Sequence, residues 1–268
     1  MQTPAAIKFR ELEAQFYNER TDAYRDAERR AAIFVPIHRA KPEDIWQALW
    51  PKALYVNARQ SVGQKWEAAL APEMTEAWKD WGANPDVFKI RHVAPGIKNQ
   101  CFQTEGAQAE YIQQTSGVSL HRLYKIQSAA CALRNRAAIA AYPFDDINLQ
   151  NAKGFVHHIN TLQQEFGPGW GTNSILHFLA EFGEAVRPCT HLMRTMNYLR
   201  PGRGLPVDQH LTVKQAAKLN YHVWLLILDL GYSCIRPSKL RLMDILLSDI
   251  AKHGLLPRQD VAAMSATI

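Results

Sequence analysis

The sequence has few cysteines, no long apolar run and no strand pattern, and each shortage closes off a class of protein. Its four cysteines, at 101, 131, 189 and 234, include no C-x-x-C pair, so neither a zinc ribbon nor an iron–sulfur loop is written here. Free thiols in a reducing compartment are expected. The most apolar stretch, VWLLILDLG from Val223, falls far short of the roughly 20 residues that a membrane span needs, and Asp229 interrupts it. A buried helix is expected there, with no membrane partner. The opening MQTPAAIKFRELEAQF turns charged before an apolar signal core can form, which points to a cytoplasmic, nucleoid-associated protein. Sustained alternation with Asn-Gly or Asp-Gly turns is missing, so a large sheet is not expected and the class is mainly α. There is no fixed-period repeat and no Ser/Gly/Pro-rich linker. Residues 1–268 therefore read as a single helical unit, and any subdomains within it must be interleaved.

What the chain does have is a globular balance, with 47% apolar and 21% charged residues over 268 positions. That suffices for a substantial core and argues against extended disorder. Lys and Arg outnumber Asp and Glu by 31 to 25, a net charge of +6, which suits a polyanionic partner without identifying one.

Periodicity marks the helices. Residues 5–31 carry Phe9, Leu12, Phe16, Tyr17 and Tyr24 at near-helical spacing and read as one amphipathic helix. KPEDIWQALW has a proline near a helix start and acidic residues in the first turn. From Ser61 to Trp81, Val62, Trp66, Leu70, Met74 and Trp78 recur four apart, and WGANPD follows as a stop. HVAPGIKNQ is loop-like, and the helix after GVS places Leu120, Leu123, Ile126, Ala130 and Leu133 on one side. Further helices are expected over 153–165, 172–182, 190–199, 212–230 and 238–253, with RPGRGLP as a loop. The spacing of Trp46, Trp50, Trp66, Trp78 and Trp81 is that of packing residues. His157 and His158 are adjacent and point apart on a helix, with no carboxylate at ligand spacing, so no metal site is expected.

The most informative stretch is FGPGWGTNSILHFLAEFGEAVRPCTHLMR, Phe166 to Arg194. Its Pro168, Gly169, Trp170 and Gly171 match the proline-glycine-apolar-glycine turn of a helix-hairpin-helix. Glycines there permit backbone conformations closed to other residues and let the chain approach a phosphate. The second helix then starts with unpaired amides that attract an anion. Gly183 follows as a helix C-cap.

On these residues the chain resembles the helix-hairpin-helix DNA glycosylase superfamily, the group of endonuclease III, 8-oxoguanine glycosylase and the alkylbase glycosylases. The resemblance covers residues 153–199, the hairpin at 153–182 and a loop and helix at 183–199. It implies two interleaved helical subdomains with the active cleft between them, and a monomer bound to double-stranded DNA. It also implies hydrolysis of the N-glycosidic bond of a damaged or modified base flipped from the duplex. No cofactor is expected, although a monovalent cation at the hairpin is compatible with the family. The implied DNA-binding residues are Gly167, Pro168, Gly169, Trp170, Gly171, Thr172, His191 and Arg194, with Arg187, Arg200 and Arg203 as a phosphate-binding rim. Trp170 and Phe34 are candidate walls for an extruded base.

In the family the hairpin is followed by a loop reading roughly P-x-D-x-H-x-x-R, whose aspartate is catalytic. Pro188, His191 and Arg194 keep close to that register, and Cys189 fills the aspartate slot. The lysine that forms a Schiff base in bifunctional members sits two residues after the last hairpin glycine, and that position is Asn173. The resemblance thus implies a monofunctional glycosylase. Cleavage develops positive charge on the deoxyribose, and a neutral thiol cannot stabilise it as a carboxylate does. Three readings of Cys189 stand. It is a disabled slot in an intact DNA-binding fold, a thiolate helped by a helix N-terminus, or a bystander to another carboxylate, with Asp208, Glu184, Asp145 and Asp146 as candidates. Asp208, in LPVDQHL, also reads as an ordinary loop or N-cap carboxylate. The alternative from another class is a non-catalytic DNA-binding or lesion-sensing protein.

Overall fold

The computed structural model describes residues 3–55, 58–83, 113–114, 117–135, 152–207 and 210–257. The long helices among them are α1 (Pro4–Glu19), α2 (Thr21–Ala32), α3 (Pro42–Leu49), α4 (Gln60–Ala83) and α5 (Leu120–Asn135). They continue with α6 (Ala152–Phe166), α7 (Thr172–Glu181), α8 (Thr190–Leu199), α9 (Val213–Asp229) and α10 (Pro237–Lys252). Short 3-10 turns occupy Ile37–Arg39 and Trp50–Ala53. The described residues contain no strand, so the class is mainly α, and none of their helices is long and apolar enough to cross a membrane. Two compact units divide the chain, each built from separate stretches. The first takes Met1–Ile37, Asp146–Ile159 and Leu179–Ile268; the second takes His38–Asp145 and Asn160–Phe178. Two of the four divisions fall inside α6 and α7.

In the first unit, α1 starts where Thr3 accepts a bond from Ala6 N (3.3 Å) and Pro4 presets the first turn. It buries Ala5, Phe9, Leu12 and Phe16 along one stripe. Each large apolar side chain there contributes roughly 1.5–3 kcal/mol. The single helix expected over 5–31 is two helices, because the backbone leaves helical geometry at Arg20 (φ −138°, ψ 49°). The cause is tertiary. Tyr24 donates to Glu13 Oε1 (3.2 Å) and its ring sits 5.6 Å from Phe16 and 5.4 Å from Tyr17, edge-on. In a straight helix Glu13 and Tyr24 would lie about 16 Å apart along the axis, so the contact requires the bend. α10 packs against α8 and α2. Thr195 donates from α8 to Leu247 O (2.7 Å), and Arg30 on α2 pairs with the nearly buried Asp249. α9 opens with a capping box, in which Thr212 Oγ1 accepts from Gln215 N and Gln215 Oε1 accepts from Thr212 N. Beneath it, Trp224 meets Phe155 edge-on at 5.6 Å. His157 is exposed and His158 buried, as adjacent helical positions require.

In the second unit Trp46, Trp50 and Trp66 pack, while the side chains of Trp78 and Trp81 lie outside the described residues. Trp46 and Trp50 are buried, and their indoles donate to Met74 O (3.3 Å) and Gln47 Oε1 (3.1 Å). Among the described side chains of the α4 stripe, Leu70 and Met74 are buried and Val62 is exposed. Arg122 on α5 stacks 4.5 Å over Trp66 and donates to Leu54 O (3.2 Å).

Candidate nucleic-acid interface

The hairpin turn belongs to the second unit. α6 ends at Phe166, whose carbonyl accepts from the Ser128 hydroxyl of α5, and Gly167 donates back to Gln163 O (3.1 Å). Gly167 and Gly169 take left-handed φ values of 82° and 87°, which explains why the turn is spelled with glycine. Pro168, Gly169 and Gly171 are exposed. A Cβ at Gly171 would meet nothing within 4 Å, so another molecule can reach the backbone where α7 begins. The Ile175 amide closes the first α7 bond on Gly171 O (3.2 Å), and the positive pole of the helix lies at that exposed glycine.

Trp170 points the other way. It is 3% exposed, lies 5.3 Å from Phe166, and donates its indole N–H to Lys125 O (3.0 Å). Its side chain holds the turn to α5 from the inside. Thr172 is buried with Gln163 3.5 Å away, and Asn173 is half-buried.

Lys125, which no sequence motif marks, lies at the centre of this packing. It is 2% exposed, with Nζ 3.1 Å from Ser174 Oγ and 4.6 Å from the Trp170 ring centroid. Burial, with Arg122 adding repulsion, brings its pKa down to about 7. The only hint in the sequence is its position beside Ile126 on the buried side of α5.

The Cys189 loop belongs to the first unit. α7 ends in a paired cap, with Glu184 N bonded to Leu179 O (3.0 Å) and Gly183 N to Ala180 O (3.2 Å). Gly183 has φ 68°, and a Cβ there would stand 2.3 Å from Pro237 O. From Glu184 to Val186 the chain is buried, and the Val186 and Arg187 amides are met by side chains from other helices. Val186 N donates to Asn220 Oδ1 (2.9 Å), and Arg187 N and Nε donate to the two oxygens of the fully buried Asp244 (2.7 Å each). Asp244 raises the Arg187 pKa, while burial pulls the Asp244 carboxyl upward against the arginine. Arg187 is thereby committed to the loop's support.

Cys189 is the N-cap of α8, in extended conformation (φ −104°, ψ 149°). Its Sγ accepts from Leu192 N (3.4 Å) and lies 3.1 Å from Ser248 Oγ. An N-cap side chain normally belongs to Ser, Thr, Asp or Asn, so the backbone here suits the aspartate that the motif leads one to expect. His191 and Arg194 are exposed on the first turns of α8. Arg200 pairs with Asp229, and Arg203 is exposed. Glu184 is 7% exposed. Asp145, Asp146 and Asp208 lie outside the described residues, and Phe34 is half-buried. No group of three or more His, Cys, Asp or Glu able to hold a metal ion occurs among the described residues.

The chain matches no family model, no curated protein and no solved structure. Its own geometry therefore carries the functional argument. That geometry comprises, in one unit, a glycine turn with an exposed helix start and, in the other, a cysteine-capped helix whose entry loop is fixed by Asn220 and Asp244.

Proposed function

We propose that this chain is a helix-hairpin-helix DNA-binding protein of the DNA glycosylase type, acting on a damaged or modified base extruded from the duplex. The observation that carries the reading is the Gly167–Gly171 turn. Two left-handed glycines shape it, Trp170 anchors it inward, and its outer edge is bare backbone at the start of a helix. Such an edge suits a phosphodiester oxygen, which accepts hydrogen bonds and carries negative charge. The chemistry would be hydrolysis of the N-glycosidic bond, leaving an abasic site.

A second reading, DNA binding without catalysis, is favoured by the surroundings of Cys189. Its sulfur faces the Ser248 hydroxyl and the Leu192 amide, and a cysteine there does not supply the carboxylate that would offset the developing sugar cation. Removing a preorganised charge of this kind typically costs on the order of 10²-fold or more in rate.

The test compares the protein with Cys189→Asp on duplexes carrying alkylated, oxidised, mismatched or hypermodified bases, reading freed base by mass spectrometry and abasic sites by alkaline cleavage. Base release by the aspartate form alone assigns Cys189 as a disabled slot. Equal release by both forms moves the chemistry to another residue. Binding by both without release favours the second reading. Gly171→Leu is the binding control: its backbone is not left-handed and its surroundings are open, so the fold tolerates leucine while the phosphate approach is blocked. If Gly171→Leu leaves duplex affinity and its salt dependence unchanged, the hairpin is not the contact.

A further inference from the structure

At the far end of α8 from Cys189, the loop after Leu199 meets one face of α9. Lys218, His222 and Asp229 follow one another along that face at helical spacing, and the Arg200 side chain lies on it, paired with Asp229. Above Lys218 the loop turns at Gly204 (φ 57°), where an added Cβ would come 3.4 Å from Nζ. The glycine therefore keeps the backbone clear of the ammonium. Arg203 and Lys218 are exposed.

Two features of this face are unsatisfied within the protein. Burial pushes His222 toward its neutral form, Arg200, Lys218 and Arg203 add to that push, and Asp229 pairs with Arg200. Like charges at such range repel and are relieved by an anion. In addition, Arg200 Nε and His222 Nδ1 are both buried with no hydrogen-bond partner among the described residues. Buried polar atoms are normally paired, and an orphaned guanidinium N–H is always a donor.

We propose that the α9 face from Lys218 to Asp229, with Arg200 and Arg203 from the preceding loop, is a phosphate-binding site. A phosphate group has enough acceptor oxygens to meet an arginine fork, an ammonium and an imidazole together, which a carboxylate with two oxygens does less well. The eleven residue steps from Cys189 to Arg200 put the two ends of α8 about 16 Å apart, so one phosphate cannot serve both. The same chemistry fits a backbone phosphodiester of bound DNA or a free phosphorylated small molecule. This site does not depend on the hairpin reading.

The experiment follows the His222 imidazole of the full chain by NMR through a pH titration, at constant ionic strength in chloride, then with inorganic phosphate, then with a 12-base-pair duplex. The expected result is a saturable upward movement of the His222 midpoint with phosphate, because a bound anion favours the imidazolium. Arg203→Gln with Lys218→Gln, both exposed and compatible with folding, should weaken the phosphate response on the order of tenfold. If the duplex also raises the midpoint and phosphate competes with it, the natural ligand is a phosphodiester. If phosphate acts and the duplex does not, the ligand is a small phosphorylated molecule. A midpoint unmoved by either, or an equal response in the double variant, overturns the proposal. Duplex affinity measured separately by anisotropy keeps a failure of DNA binding distinct from a failure of this site.

Discussion

Replacing Gly183 with alanine should be far more damaging than the same change at Gly254, although both occupy the same position in the same cap. α10 ends like α7, with Leu255 N bonded to Ile250 O (3.2 Å), Gly254 N bonded to Ala251 O (3.1 Å) and φ 73° at the glycine. An alanine at Gly254 has open space, with nothing within 4 Å, so it bears only the left-handed backbone penalty of about 1 kcal/mol. At Gly183 the new methyl would stand 2.3 Å from the Pro237 carbonyl oxygen and 2.8 Å from its carbon. Those atoms belong to the backbone and cannot rotate away. Overpacking of this kind adds about 1–3 kcal/mol, for a total near 3 kcal/mol. With a urea slope of about 2 kcal/mol/M, the midpoint should fall by about 1.5 M for Gly183→Ala and about 0.5 M for Gly254→Ala. Far-UV circular dichroism across a urea series reads both. Gly231→Ala, at φ 94° and also in open space, should behave like Gly254→Ala. Equal shifts for all three would refute the reasoning, since they would mean that the start of α10 yields freely beside the cap.

Two pH dependences follow from buried bases. The Lys125 amine titrates near 7 when folded and near 10.4 when unfolded, so the unfolded chain binds more protons in between and stability rises with pH across that window. The stability of the protein relative to Lys125→Met should therefore increase from pH 7 to pH 10, and a flat difference in urea midpoints would count against the buried amine. His158 is held down to about 4 by burial, with His157 adding to it, against about 6.5 unfolded. Its contribution is present above pH 6.5 and lost as pH falls toward 4. Relative to His158→Phe, the protein should lose thermal stability over that range, and parallel Tm curves would contradict the assignment.

Helix ends were legible where they are made locally. The Thr212–Gln215 capping box, the Gly183 cap and the prolines at the starts of α3 and α10 can all be read from neighbouring letters. The break at Arg20 was not, because no glycine or proline marks it and its cause is a tyrosine folding back onto Glu13, Phe16 and Tyr17. The hairpin's outer edge followed from its glycines, but the inward direction of Trp170 depends on α5, 45 residues earlier. Arg187 reads in sequence as one arginine of a surface rim. Its partner Asp244 lies 57 residues downstream, too far for any spacing rule to join them. Lys125 escaped notice for the same reason, since burial of a lysine is decided by what packs over it.

The order of the segments also governs how the protein comes into being on the ribosome. Arg10 bonds to Leu230 and Arg30 pairs with Asp249, partners 220 and 219 residues apart. At about 5–20 residues per second, the first two helices wait about 10–45 s for the helices that cover them. During that interval Phe9, Leu12 and Phe16 are without their final neighbours, while the second unit's stretch up to Asp145 is made. The first unit is thus begun before the second and closed after it, and the nascent chain should depend on protection of the buried stripe of α1 until α10 emerges.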